Sequence, residues 1–551
     1  MALSATTTFY AQSTGDDVNN GGAFDPGTTA GMLTDGAATV ANTAAPVFTS
    51  ASYNFVAGDV GAWVYIASGT NWTPGWYIIV SVAANAATIN GTIGAAILPG
   101  HLLSTVVGCA TVASPTAATW SIDYSRQTTA EFTYTDLASA GAGLTVSSAL
   151  LPFAKQQVGN ALIITGGTNF TAGTYVIASV AAGVATVVGA ANITTGIGAL
   201  GTGGLGGCCA TPGKACGLMV SGNDLLIQGA AGTHLLTSAT PNIAGGMLTP
   251  PAGTTANPTR VVGFNLLPGD NGTKPLLQAS GAIATFAMIT ITGGVRVENL
   301  SFDGVAKTSS RGVGGSGAAA IYRCKFANMT NSACTGSAAT HFWFCEMTGC
   351  STIAAAVSGT YYFCAGYANT VTVFSLTGSF AYGCFAVNNT GGSTDGFLMS
   401  TSSACENCTA YNNGRHGFIY TTSAAICTFT NCVAVNNTGY GFTTSAASGN
   451  LTLLDCGGFN NTSGLVNTTN VEAFCIINLI TLTGDPFINA AGLNFGLNSV
   501  VGAGAALKGQ GVPTSSGVYA LPGLSTPSAP DVGGAQGSSA GGGGGQIIRM
   551  G

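Results

Sequence analysis

Cysteine recurs through the middle of this chain at a nearly fixed interval. Cys324, Cys345, Cys364, Cys384, Cys408, Cys432 and Cys456 are separated by 21, 19, 20, 24, 24 and 24 residues. From Cys384 onward each is followed by an asparagine pair, Asn388-Asn389, Asn412-Asn413, Asn436-Asn437 and Asn460-Asn461, again 24 residues apart. A period of this length marks a solenoid, in which each repeat touches mainly its neighbours. Leucine-rich repeats need Leu at several fixed places and helical repeats need helix formers; these coils have neither. Short β-rich segments closing on an Asn turn and a Gly-Phe fit a right-handed parallel β-helix, with coils stacked ~4.8 Å apart. The stacked cysteine is then a small apolar filler inside the tube. The stacked Asn388, Asn412, Asn436 and Asn460 take a left-handed turn and bond an amide to the next coil. Coils of this size between Cys216 and Val500 number about a dozen, a rod on the order of 60 Å.

A second repeat lies nearer the N-terminus. VGAWVYIASGTNWTPGWYIIVSVAANAATING from Val60 aligns with VGNALIITGGTNFTAGTYVIASVAAGVATVVG from Val158, without a gap over 32 residues at an offset of 98. Gly61/Gly159, Gly69/Gly167, Asn71/Asn169, Gly75/Gly173, Tyr77/Tyr175 and Ser81/Ser179 match. Each copy alternates β-branched or aromatic residues with small ones and breaks at Gly-Thr-Asn, the pattern of strands joined by tight turns. The expected layout is all-β: a β module over 1–110, its copy over 111–215, the β-helix over 216–500, and a Gly/Ser/Pro-rich cap and tail over 501–551. The tail ends in a short apolar-basic stretch, Ile547-Ile548-Arg549-Met550.

Composition narrows the partners. Charged residues make up 6% of the 551, against a usual ~25%. The chain is too apolar for ordinary disorder, lacks collagen's period of three, and has too few helix formers for a bundle. The 13 Lys and Arg and the net charge of −6 form no basic stripe, so no nucleic-acid partner is expected. The longest apolar run, Phe474 to Leu482, is far short of the ~20 residues of a membrane span. The opening MALSATTTFYAQSTGDD has no basic flank before an apolar core, so it is not read as a secretory signal. The protein is expected to be made in a cytoplasm and to reach any outside location by another route. A narrow lumen cannot hold unpaired ions, which accounts for the interior. The bland outer face is expected to be buried against identical chains.

At the level of motif, the Cys-x-x-x-Asn-Asn-Gly/Thr-x-x-Gly-Phe coils resemble pectin-lyase-like right-handed β-helix repeats. NPTRVVGFNLLPGDNGTKPLLQASG (Asn257–Gly281) and GGVRVENLSFDG (Gly293–Gly304) are similar to the first coils of such proteins. AQSTGDDVNNGGAFDP, WSIDYSR at Trp120–Arg126 and NFGLNSVVGAGAALKGQG resemble virion structural proteins of tailed bacteriophages. That resemblance implies a homotrimer that contacts other virion proteins on the particle surface.

Chemistry is sparse. A β-helix glycoside hydrolase needs two carboxylates roughly 5–10 Å apart, and a lyase needs acidic Ca²⁺ ligands with a base. The solenoid acids are Glu298, Asp303, Glu346, Asp395, Glu406, Asp455 and Glu472. Glu406 and Asp455 are weak catalytic candidates, two coils apart at ~10 Å, against the plainer reading of solvated turn acids. His416, beside Arg415, is a base or receptor contact against plain surface. Cys405-x-x-Cys408, Cys427-x4-Cys432 and the off-period Cys208, Cys209 and Cys216 have near-ligand spacing, but solenoid thiols are better read as core filler than as zinc ligands. Asp16-Asp17 with Asn19-Asn20 lack calcium-loop spacing and are read as a turn. No cofactor or metal is expected. The reading is a structural component of a bacteriophage particle, a trimeric spike or fibre touching host-surface glycans. The alternatives are a capsid decoration protein, or a tailspike depolymerase acting as glycoside hydrolase or polysaccharide lyase.

Overall fold

The computed structural model describes residues 6–17, 22–38, 46–90, 115–128, 131–188, 192–230, 232–265, 273–280, 286–304, 310–315, 317–335, 340–351, 355–356, 359–422, 426–445, 450–467 and 474–510. The tail from 511, Asn19, Asn20 and Glu472 lie outside these residues. The chain divides into two compact units, Met1–Gln278 with Thr292–Leu300, and Ala279–Ile291 with Ser301–Gly551.

In the first unit the duplicated stretch builds two closed six-stranded antiparallel barrels. The first comprises Leu33–Ala38, Val47–Thr49, Trp63–Thr70, Gly75–Ala83, Ala86–Asn90 and Thr116–Asp123. The second comprises Phe132–Ser139, Thr145–Ser147, Ala161–Phe170, Gly173–Ala181, Val184–Val188 and Thr194–Leu205. The matched letters have physical causes. Asn71 and Asn169 turn the chain at φ +61° and +60°, a conformation Asn tolerates. Tyr77 and Tyr175 donate their hydroxyls to the carbonyls of Thr73 and Thr171 at 2.6 and 2.9 Å.

Thr116–Asp123 belongs to the first barrel, not to the second module as the 110/111 division has it. Ala118, Trp120 and Ile122 alternate into the same core as Val64 and Ile66, and the barrel cannot close without that strand. The N-terminal Thr8–Ala11 is in neither barrel; it pairs in parallel with Asp224–Gln228. Arg126, 4% exposed, ties these parts together. Its guanidinium lies 4.5, 5.0 and 5.3 Å from the ring centroids of Trp63, Trp76 and Tyr10, and its Nε donates to Asp123 at 2.9 Å.

Asp224–Gln228, Thr259–Phe264 and Val295–Glu298 are successive parallel rungs. Their register partners Asp224, Arg260 and Arg296 are 36 residues apart, because each winding carries a long excursion. The windings are therefore not uniform: these run to 36 residues where the later cysteine-bearing ones run to 19–24. The off-period cysteines seal these first rungs. Cys208 packs with Tyr10, Leu226, Val262 and Phe264. Cys209 pairs through its backbone with Tyr10 and Gln12, and Cys216 is buried on the helix Pro212–Leu218.

The second unit is a parallel β-helix. Ala319–Tyr322, Thr340–Trp343, Gly359–Tyr362, Phe380–Tyr382, Ala404–Glu406, Ile426–Thr430, Asn450–Phe459 and Phe474–Thr481 pair in order. Equivalent side chains stack. Phe374, Phe397, Phe418 and Phe442 lie 4.9, 4.8 and 5.0 Å apart with nearly parallel rings. The seven period cysteines are at most 1% exposed. Cys408 Sγ reaches the carbonyls of Glu406 and, one coil earlier, Ala381, both at 3.4 Å. Burial pushes the Cys364, Cys384, Cys405 and Cys432 thiols well up, so they stand neutral.

Asparagine forms two columns. Asn388, Asn412, Asn436 and Asn460 have φ between +51° and +56°, and their amides bond on the surface, Asn412 to Asn388 and Asn460 to Asn436, each at 2.9 Å. The buried amide ladder is made by the second residue of each pair. Asn369 donates to Asn389 at 3.0 Å, Asn389 to Asn413 at 2.8 Å, Asn413 to Asn437 at 2.9 Å and Asn437 to Asn461 at 2.8 Å.

One outer face is covered by the chain itself. Phe385, Val387, Val433 and Val435 pack under Leu482, Phe487, Phe495, Leu497 and Leu507 of the C-terminal segment. Phe495 sits 5.6 Å from both Phe385 and Tyr411. The cover over these apolar residues is intramolecular. Earlier in the same column, before Ala365 and Phe385, Lys325 and Glu346 stand in register, and charge returns.

Candidate functional site

The candidate acids do not converge. Glu406 is in register with Tyr382 before it and with Thr430 after it, and Thr430 is in register with Leu454. Asp455 falls one residue beyond that column. It occupies the corner column of Asn407, Asn431 and Asn478, at φ +48°, and its Oδ1 accepts from Asn478 at 2.5 Å. It is an aspartate doing the work of a corner asparagine, 6% exposed. Two windings still separate it from Glu406, ~10 Å along the stack.

His416 is held as part of a turn. Its Nδ1 accepts the backbone N–H of Tyr440 at 3.0 Å, and its ring stacks on Tyr440 at 5.9 Å. An occupied Nδ1 lone pair places the proton of the neutral ring on Nε2. Burial lowers its pKa; Asp395 pulls it up and Arg415 pushes it down. Its neighbour Arg415 clamps the fully buried Asp395 side chain through two bonds, Nε to Oδ1 at 2.8 Å and Nη2 to Oδ2. His416 N also donates to Asp395 Oδ1 at 3.2 Å. The Arg-His pair thus joins consecutive turns.

Sequence reasoning missed the charged column Asp224, Arg260 and Arg296 with Glu298. Arg260 grips Asp224 with Nε at 2.7 Å and Nη2 at 2.5 Å, and Arg296 pairs with Glu298. Burial raises the Asp224 and Glu298 carboxyls, and the arginines pull both back down. The 36-residue spacing of 224, 260 and 296 was the available signal, and it lies outside the 19–24-residue spacing of the later cysteines. The arginine and carboxylate side chains are between 4 and 16% exposed, so the two charge pairs satisfy each other rather than an incoming substrate.

On the outer face of the β-helix Tyr322, Trp343 and Tyr362 form a half-buried stripe. Trp343 lies 6.2 Å from Tyr322 and 3.9 Å from Tyr362, with rings within 16° of parallel.

The cysteine candidates are core. Cys405 Sγ meets Met399 Sδ at 3.4 Å and Cys427 Sγ meets the Thr401 carbonyl at 3.0 Å. Burial pushes the Cys208 and Cys216 thiols up to about 12. Asp17 spends both oxygens on Thr211, at 3.0 and 2.6 Å, ahead of the helix Pro212–Leu218. Among the described residues no group of three or more His, Cys, Asp or Glu is arranged to hold a metal ion.

The chain matches no protein-family model and no curated protein. Solved structures similar to it include pectate lyase Pel9A, at 15% identity over 58% of this chain and 89% of that one, with a TM-score of 0.36. The A-module of the Azotobacter vinelandii mannuronan C-5 epimerase AlgE4 shares 12% identity over 47% of this chain and 78% of that one, at 0.29. A GH87 alpha-1,3-glucanase catalytic domain shares 10% over 79% and 91%, also at 0.29.

Proposed function

We propose that this protein is a structural component of a bacteriophage particle, a non-enzymatic β-helical spike or fibre on the virion surface. In this reading three copies associate, other virion proteins anchor them, and the β-helix meets host-surface glycans. The observation that carries the structural role is the direction in which the polar side chains spend their bonds. Asn389, Asn413 and Asn437 bond up and down the stack, and Arg415 and Asp395 join successive turns. Such bonds stiffen a rod. Asp455 is likewise spent on Asn478 at a turn corner and His416 on Tyr440 N, where a hydrolase needs its acid and base facing one scissile bond. The virion assignment rests on the resemblance of the AQSTGDDVNNGGAFDP, WSIDYSR and NFGLNSVVGAGAALKGQG segments.

The test has two arms. Antibody raised to the chain should label purified phage particles, and purified protein spotted on a lawn of the host should leave no halo and release no reducing or unsaturated sugar ends. Particles that lack the chain would end the virion reading. A halo that disappears with Glu406→Gln would replace it with a depolymerase.

A further inference from the structure

The two barrels are copies of one design, and one corner differs between them. On the second barrel the corner Gln157–Asn160 is covered. Val158 is fully buried, Asp25 N donates to the Gly159 carbonyl at 2.7 Å, and Phe24 bridges to Asn160 as an antiparallel partner. The Phe24 ring fills the seat over Gly159, 2.8 Å from where a Cβ would stand.

The same corner of the first barrel has the same backbone. Asp59 accepts from Val56 N at 2.8 Å as Gln157 accepts from Ala154 N at 2.9 Å. Gly61 and Gly159 have φ of +91° and +90°, and they donate to Ile79 and Ile177, each at 2.9 Å. That left-handed backbone calls for glycine at both corners, and the missing side chain leaves a seat. Over Gly61 no such ring sits: among the described residues nothing stands within 4 Å of a Cβ placed there. Val56 and Val60 beside it are 56% and 46% exposed.

We propose that the Val56–Gly61 corner is a docking surface for an extended segment of a different protein, one that presents an aromatic side chain followed by a free backbone N–H. The ring takes the seat over Gly61 and the N–H pairs with the Gly61 carbonyl, as Phe24 and Asp25 do on the second barrel. This is recognition by strand addition at a barrel rim. The Phe24-Asp25 segment of a second copy is not the occupant, because it is engaged on that copy's own second barrel.

A peptide with the sequence of residues 22–28, GAFDPGT, serves as the probe, with a photoreactive benzophenone side chain in place of the phenyl ring. Irradiated with the full-length protein, it should cross-link within residues 56–62, and excess unmodified peptide should suppress the product. Val60→Asp places a charge where the contact must be dry and should cut the cross-link about tenfold. Val56→Asp is the second variant, and circular dichroism checks that each retains the fold. Cross-linking elsewhere, no cross-link, or an equal yield from folded wild type and variant would overturn the proposal. So would sedimentation showing that Val60→Asp dissociates an oligomer of this chain, since the occupant would then be a second copy.

Discussion

The side-chain amide of Asn413 donates to Oδ1 of Asn437 at 2.9 Å, with both residues fully buried and 24 residues apart in sequence. The same amide also reaches the Ala386 carbonyl at 3.1 Å, so it is satisfied by the coils on both sides. Asn413→Ala should destabilise the protein by about 1–3 kcal/mol, the cost of leaving buried partners unpaired. Asn412→Gly keeps the left-handed turn at φ +52°, removes only an exposed amide bond and should cost about 0.5 kcal/mol or less. Urea unfolding of the two variants side by side checks the order; equal losses would show that the ladder is in the wrong column.

The C-terminal strap should matter as much as a core element. Phe495→Ala removes a 2% exposed ring from between Phe385, Tyr411 and Phe487. The expected loss is about 3–5 kcal/mol, with increased binding of a hydrophobic dye as the Phe385–Val435 face opens. A variant that unfolds like wild type and binds no more dye would mean that the strap does not cover this face in solution.

Arg126→Met should be costly although methionine fills much of the space. It leaves the 1% exposed Asp123 carboxylate without its ion partner, a loss of about 3–5 kcal/mol. Trp63 and Trp76 flank the guanidinium, so tryptophan emission should shift as well. Unchanged emission would mean that the cation does not sit among these rings.

His416 gives a pH signature. Its folded pKa is lowered from the ordinary 6.5, chiefly by burial, so the unfolded chain takes up the proton first. Its contribution to stability is full above about 6.5 and is lost as pH falls below it. His416→Gln keeps an acceptor for Tyr440 N and does not titrate. The stability of wild type relative to this variant should therefore fall between pH 7.5 and 5. A difference that stays constant would show that the ring titrates alike in both states.

Much of this architecture was legible because stacking forces like residues into columns. The cysteine period gave the winding, and the 98-residue repeat gave two barrels. What was not legible depends on contacts distant in sequence. Nothing local distinguishes Phe385 and Val433, which lie under the strap, from the lumen residues Phe397 and Phe418. The pairing of Thr8–Ala11 with Asp224–Gln228 spans more than 200 residues. Asp455, a weak catalytic candidate against the plainer reading of a turn acid, stands at a turn corner that Asn fills elsewhere, but its burial there is not visible in the sequence. Either asparagine of each pair could have been the buried one, since the fixed period is the same for both.

Stacking itself is open to one direct measurement. Thr370, Thr390, Gly414, Thr438 and Thr462 follow one another on successive turns, each bonded through its N–H to the turn before, and Thr370 and Thr462 are exposed. Nitroxide labels on Thr370→Cys and Thr462→Cys, resolved from the buried native thiols by mild labelling, should give a narrow distance distribution. Four steps of the stack place the two backbones about 19 Å apart, although 92 residues separate them in sequence. A broad distribution, or a separation far beyond that value plus the label linkers, would contradict the β-helix and the structural role built upon it.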